Sequence, residues 1–319
     1  MGSAARGAGG FRPPRAGRGW PAAIAVALVL CGCAASPIVP EDAARFPVRI
    51  DGRHGFIDGR GRLAIAPAWR NAGAFRGGLA PVQSPDTERW GYVDAAGALR
   101  IPAQFLAAEP FREGVAAVRT ERGVGYLRPD GTWAIAARFA GGTAFSEGAA
   151  LVAFERNVAG VAAVTYGFVD RRGEWVLEPG FADAGSFAEG VAPVRRMGER
   201  FGYVDRQGRT VIAPRFDRAL PFGDGLAPVR ADDGRWGLID RRGEFVVPPT
   251  FVGARRFAEG LAPVLDASNR WGYVDAAGRF VIAPAFTEAD PFEHGLARVT
   301  LDGRVGYVDR RGRFVWAPR

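Results

Sequence analysis

Cys31, Cys33, His54 and His294 are the only cysteines and histidines in the chain. A structural zinc takes four such ligands, and a Ser-His-Asp triad needs a histidine held between an acid and a nucleophile, so both chemistries are short of parts. His54 and His294 read as tolerated substitutions. The acids invite a different idea. Aspartate recurs at Asp58, Asp94, Asp170, Asp205, Asp240, Asp275 and Asp309, the spacing of a carboxylate ladder for acid catalysis or calcium. Each stands three residues before a glycine, however, and Asp at i with Gly at i+3 is a type I turn signature in which the carboxylate accepts backbone N–H bonds. Calcium takes about six to eight oxygens, which single recurrent carboxylates do not supply within one loop. A glycan hydrolase needs two carboxylates about 5 to 9.5 Å apart, a pair that only the fold can assemble. No Gly-x-Ser-x-Gly elbow, phosphate loop or dinucleotide fingerprint occurs. The residues therefore point away from an enzyme, and they call for no cofactor and no metal.

The elements that hold these residues are turn-rich. Glycine at 45 and proline at 23 make 68 of 319 residues, about a fifth, which argues against long helices, while 48% hydrophobic residues are enough for a buried core. The net charge of +8 needs dividing: Arg6, Arg12, Arg15 and Arg18 stand in the first 32 residues with no acid, leaving 8 − 4 = +4 for the rest. All 42 basic residues are arginine, and acids lie close to most of them. That pattern gives no basic stripe with interleaved aromatics and no nucleic-acid partner.

Residues 22–30, Ala-Ala-Ile-Ala-Val-Ala-Leu-Val-Leu, form an uncharged run of nine. It is far short of the ~20 residues that span a bilayer, so it reads as the apolar region of a secretory signal. Leu30-Cys31-Gly32-Cys33 follows at once and resembles the lipobox of bacterial lipoproteins. That resemblance implies a signal peptide over 1–32, lipidation of Cys33, a tether over 33–45 and a membrane-anchored chain. Ala34 after the cysteine implies sorting to the outer membrane, facing periplasm or surface.

The remainder repeats. An x-Gly-Tyr-Val-Asp pattern places its glycine at Gly55, Gly91, Gly125, Gly167, Gly202, Gly237, Gly272 and Gly306, spaced 36, 34, 42, 35, 35, 35 and 34 residues. An aromatic with a glycine three residues on follows the first seven, as Phe111/Gly114 or Phe257/Gly260, and then a Leu-Ala-Pro-Val type strand. Two β-rich runs around Asp-x-x-Gly predict a hairpin, with prolines such as Pro67, Pro102 and Pro284 ending its second strand. With Trp90-Gly91, Trp236-Gly237 and Trp271-Gly272 literal, the units resemble the WG repeats of bacterial proteins. The resemblance implies an all-β repeat array over 46–319, seven full units and an incomplete one, without implying an activity.

Two arrangements fit such units. An open solenoid or superhelix of stacked hairpins is the first expectation, because each unit buries its aromatic face only against neighbours. A closed, propeller-like ring is the other, with the Phe46–Ile50 strand completing the last unit or simply opening the repeat's natural phase.

Departures from the repeat are the candidate contact sites. The 42-residue unit carries a surplus around Phe154 and Arg156, predicting a protruding hairpin. The hairpin tips carry Arg171, Arg172, Arg206, Arg241, Arg242, Arg310 and Arg311, which would align on one edge and suit anionic groups. The expected function is a non-catalytic binding or scaffold domain on an envelope lipoprotein, whose ligand is a protein or an anionic envelope polymer. A peptidoglycan- or glycan-active enzyme or its accessory, and a structural spacer, are the alternatives.

Overall fold

A computed structural model describes residues 44–158 and 161–317. Residues 1–32, read above as a signal peptide, Cys33 and most of residues 33–45 lie outside the described residues, as does Pro318. All regular structure among the described residues is β, and it falls into eight antiparallel sheets. The first blade holds β1 (Arg45–Ile50), β2 (Arg53–Asp58) and β3 (Leu63–Trp69). The second holds β4 (Asn71–Ala72), β5 (Leu79–Gln83), β6 (Trp90–Asp94) and β7 (Leu99–Phe105) in that order across the sheet. Blades 3 to 8 repeat this four-strand plan over 107–139, 141–181, 183–216, 218–251, 253–286 and 288–316.

The local chemistry explains the motif. Where β7 crosses β6 the register slips between Trp90 and Tyr92, a bulge that drives the outer strand against Gly91. A Cβ on Gly91 would meet the Ile101 carbonyl oxygen at 2.5 Å, and Gly55, Gly202 and Gly237 sit equally tightly at 2.5, 2.5 and 2.6 Å. The motif glycine is thus a close-approach residue. Pro102 and its counterparts fall inside this bulged strand, which runs on to Phe105, so the prolines do not end it as the sequence suggested. The register shift interrupts the ladder there, so a missing N–H costs it nothing. The aspartates do cap turns: Asp58 Oδ1 accepts the N–H groups of Arg60 and Arg62 at 2.9 and 3.0 Å, and Asp94, Asp205, Asp275 and Asp309 repeat the pattern.

Blades meet through aromatic rings. The residue after the motif glycine packs against the Phe of the next blade's turn, as Phe56–Phe75, Tyr92–Phe111, Phe168–Phe187 and Tyr273–Phe292, with centroids 4.7–4.9 Å apart. The tyrosine hydroxyls reach on to the next blade: Tyr92 donates to the Glu109 carbonyl at 2.8 Å and Tyr203 to the Leu220 carbonyl at 2.8 Å. Burial pushes these phenols above their usual range, so they remain neutral donors.

The same contact closes the array. Tyr307 of blade 8 packs edge-on against Phe46 of blade 1 at 5.3 Å and donates to the Pro47 carbonyl at 2.8 Å. Phe46, Val48, Ile57, Leu296 and Tyr307 form one buried cluster. The protein is therefore an eight-bladed β-propeller, and the open solenoid is not what forms: the last unit's exposed aromatic face finds the first unit instead of solvent. Nor does the amino-terminal strand complete the eighth blade. β1 pairs along its length with β2, so the repeat's phase begins at that strand. In blades 2 to 8 the carbonyl equivalent to that of Pro47 accepts an N–H from its blade's short inner segment, as Gly73 to Pro81 at 2.9 Å. At the closure the Tyr307 hydroxyl takes that role.

Candidate functional site

The turn between β4 and β5 and the Asp-x-x-Gly tip between β6 and β7 lie at the same end of antiparallel strands, and so on one face of the ring. Blade 3 shows how the turn is built. Arg112 N–H donates to the Val115 carbonyl at 2.8 Å, and Glu113 and Gly114 between them take φ of 51° and 81°. Two successive left-handed residues make a type I′ turn, which Gly tolerates and Glu does not favour. The glutamate's strain is offset across the seam. Glu113 Oε2 accepts the Gly148 N–H of blade 4 at 2.9 Å. Glu147 does the same for Gly190 at 2.8 Å, Glu189 for Gly225 at 2.9 Å, Asp224 for Gly260 at 2.7 Å and Glu259 for Gly295 at 3.0 Å.

The tip arginines join this stitching. Arg171 donates to Glu113 at 3.0 Å, Arg206 to the Glu147 carbonyl, and Arg241 both to the Glu189 carbonyl and, at 3.3 Å, to its carboxylate. Each reaches from its own blade to the preceding one, while Arg206 and Arg241 also lie over Phe187 and Phe222. Arg310 lies close over Gly260. Arg172, Arg242 and Arg311 hold only their turns through their N–H groups and present exposed side chains. The tips thus share one face, but three of the seven arginines are engaged in holding blades together.

The extended hairpin stands at the other end of its blade, formed by Ala150–Val158 and Val161–Val169. Phe154 packs between Phe139 of blade 3 and Trp175, at 5.4 and 4.9 Å. The Arg156 side chain lies outside the described residues.

Inside the ring of turns the residue after each landmark Phe faces the axis. A cavity of about 590 Å³ is lined by Arg76, Gly77, Gly78, Arg112, Glu113, Ser146 and His294, and an adjoining one of about 450 Å³ by turns of blades 2 to 8, Arg256 and Glu293 included. Arg76 pairs with Glu293 across the place of blade 1. Burial first, and then the charges of Arg76 and Arg256, hold the Arg112 guanidinium below its ordinary pKa, with Glu293 opposing. Arg76, Arg112 and Arg256 share this wall with Glu293, and the seam acids Glu147, Glu189, Asp224 and Glu259, bonded to turn N–H groups, line it as well. The sequence reading did not single the three arginines out, because Arg76 and Arg112 follow the landmark Phe75 and Phe111 and Arg256 precedes Phe257, positions that do not recur as arginine in the other units.

A third cavity, about 830 Å³, lies beside blade 1 and is lined by Arg49, Arg53, His54, Arg70 and Arg298. His54 Nδ1 lies 2.9 Å from the Arg70 carbonyl, and burial lowers its pKa, with Arg49 and Arg298 adding to the effect. No group of three or more metal-ligating side chains occurs among the described residues.

The model of the WG containing repeat family matches residues 55–84, 90–122, 166–198, 201–234, 236–266 and 271–304. The chain belongs to that family. No curated protein matches the sequence. Among solved structures, BamB from Moraxella catarrhalis aligns at a TM-score of 0.47 and 13% identity over 84% of this chain and 94% of that one. The Saccharomyces cerevisiae protein Sqt1 aligns at 0.43 and 10% over 74% and 81%, and the WD40 propeller domain of Doa1 at 0.40 and 10% over 83% and 95%. The WG-repeat ring itself rests on the closure contacts of Phe46, Pro47 and Tyr307.

Proposed function

We propose that this WG-repeat protein is a cell-envelope lipoprotein, anchored through Cys33 at the outer membrane, whose propeller is a non-catalytic binding module for an anionic protein or envelope polymer. The observation that carries the reading is two guanidinium groups, unpaired among the described residues, at the mouth of the ring of turns. Elsewhere on this face the recurrent acids bind turn N–H groups or tip arginines, and Arg76 pairs with Glu293, whereas Arg112 and Arg256 line the mouth with no ion pair among the described residues. A concave site whose own carboxylates are already seated on turn N–H groups, with two guanidinium groups free of ion pairs, suits anionic recognition.

Photocrosslinking in intact envelopes tests it. A photoreactive residue at Ala188 or Ala258, on the mouth, should form an adduct that one at Val164, on the far hairpin, does not. Adducts at Val164 alone would move the binding surface to the other face. Co-sedimentation with purified peptidoglycan sacculi across a salt series then separates the two partner types, because polymer binding through arginines weakens as salt rises.

A further inference from the structure

At five seams the ring displays its own ligand. A Glu or Asp side chain of one blade seats its carboxylate on the turn N–H of the next, at 2.7–3.0 Å. The seam between blades 2 and 3 is built differently. The acid's position there is Gly77, which has no side chain, and the Gly114 N–H has no hydrogen-bond partner among the described residues. The turn position that faces the axis also changes. It is Ser146, Ala188, Gly223, Ala258 or Glu293 where the carboxylate is supplied from within, and Arg112 where it is not. The cavity of about 590 Å³ opens over Gly77, with Arg76 and Arg112 on its wall.

We infer that the Gly114 turn is a seat for an external carboxylate, filled by an acidic segment of a partner protein that presents Glu or Asp as the neighbouring blade does elsewhere. The in-ring examples fix the chemistry: a carboxylate on a short side-chain arm, approaching a left-handed turn N–H. Arg112 supplies the charge-assisted bond that makes an intermolecular version hold. Glu113 beside it is already committed to Gly148 and Arg171, so its charge is partly offset. The inference rests on the binding-module reading and narrows its partner.

The decisive variant is Gly77→Glu. Gly77 has φ of 56°, close to the 50–54° at which the five acids sit, and a Cβ there would come no nearer than 3.5 Å to Phe111. The variant should fold and place its own carboxylate on Gly114. Calorimetric titration of the full chain in detergent micelles with a tetraglutamate peptide, against tetraglutamine, reads the outcome. Tetraglutamate alone should bind. Gly77→Glu and Arg112→Gln should each weaken it at least tenfold, while Gly77→Ala, which adds a Cβ without a carboxylate, should stay within twofold. Unchanged binding in Gly77→Glu, or equal binding of the two peptides, overturns the seat. If mouth crosslinks persist when tetraglutamate fails to bind, the binding module stands and this seat falls. If both fail, the module reading goes as well.

Discussion

Phe46→Ala asks whether the ring is closed in solution. Phe46 is 6% exposed, and part of its cover comes from Tyr307 and Leu296 of blade 8, some 250 residues away in sequence. A buried Phe→Ala change costs about 3–5 kcal/mol, the lost transfer energy plus the cavity, and the edge-on Tyr307 pair accounts for about 0.5–1.5 kcal/mol of the interaction. For a domain of this size that corresponds to a fall in Tm on the order of 10 °C. Phe222→Ala is the internal reference, since Phe222 is 1% exposed and packs on Tyr203 at 5.0 Å in a mid-array seam. Calorimetry of both variants should give comparable losses. In an open array Phe46 sits on a frayed terminal unit, and its truncation would cost under about 1 kcal/mol. That small value beside a full loss for Phe222→Ala would refute closure. Tyr307→Phe refines the test: it keeps the ring and removes the donor to the part-buried Pro47 carbonyl, a loss of about 0.5–1.5 kcal/mol.

Cys33→Ala should move the protein from the membrane to the soluble fraction on cell fractionation, and retention on membranes would remove the anchor. Gly91→Ala should destabilise by about 1–3 kcal/mol or more in denaturant titration, because its Cβ meets the Ile101 oxygen and the Ala103 nitrogen at 2.5 and 2.8 Å; a neutral result would mean that the bulge does not press on the motif glycine. Acid should unfold the ring through its turn aspartates. The Arg62 N–H, helped by the Arg62 side chain, holds Asp58 down at about 2, and Asp130 and Asp275 are lowered chiefly by the N–H groups of Thr132 and Arg279. A carboxylate depressed in the folded state stabilises above its unfolded pKa and loses that contribution as pH falls through the folded one. Tm should therefore be level above about pH 5 and drop between about pH 4 and pH 2, with a shallower drop in Asp58→Asn. An unchanged slope in that variant would show that the turn bonds contribute nothing.

The sequence reading reached the blade and held the closed ring, which forms, as the alternative to an open solenoid. Hairpins, turn aspartates and the long fourth hairpin follow from local chemistry: Asp and Gly three apart, alternating apolar runs, a spacing of 42 residues instead of about 35. The two-residue strands were invisible because two residues carry no periodicity, and Asn71–Ala72 has no β-rich composition to betray it. The prolines misled because a bulge satisfies the same rule as a strand end. Closure was undecidable from the repeat, since a period relates each unit to its neighbour and carries no term for Tyr307 meeting Pro47, 260 residues away. The tip arginines were legible as a shared face, but their pairing with Glu113, Glu147 and Glu189 was not, because it joins consecutive blades through residues 52 to 59 apart.

Closure also explains where the candidate site falls. A ring built from one repeated unit is nearly symmetric, and any side chain that serves every seam serves stability first. A ligand site needs that symmetry broken. The chain ends meet at blades 8 and 1, and the nearby turns depart from the pattern: His294 stands in the acid's position in blade 8, Gly77 in blade 2, and Arg76 reaches past the first blade to Glu293. The seams from Glu113 to Gly295 carry the regular carboxylate and hold the scaffold rigid. The departures therefore gather on one arc of the mouth, beside the larger cavity there and next to Arg112, where the ring gives up a bond of its own and leaves an N–H and a guanidinium for a partner's acid.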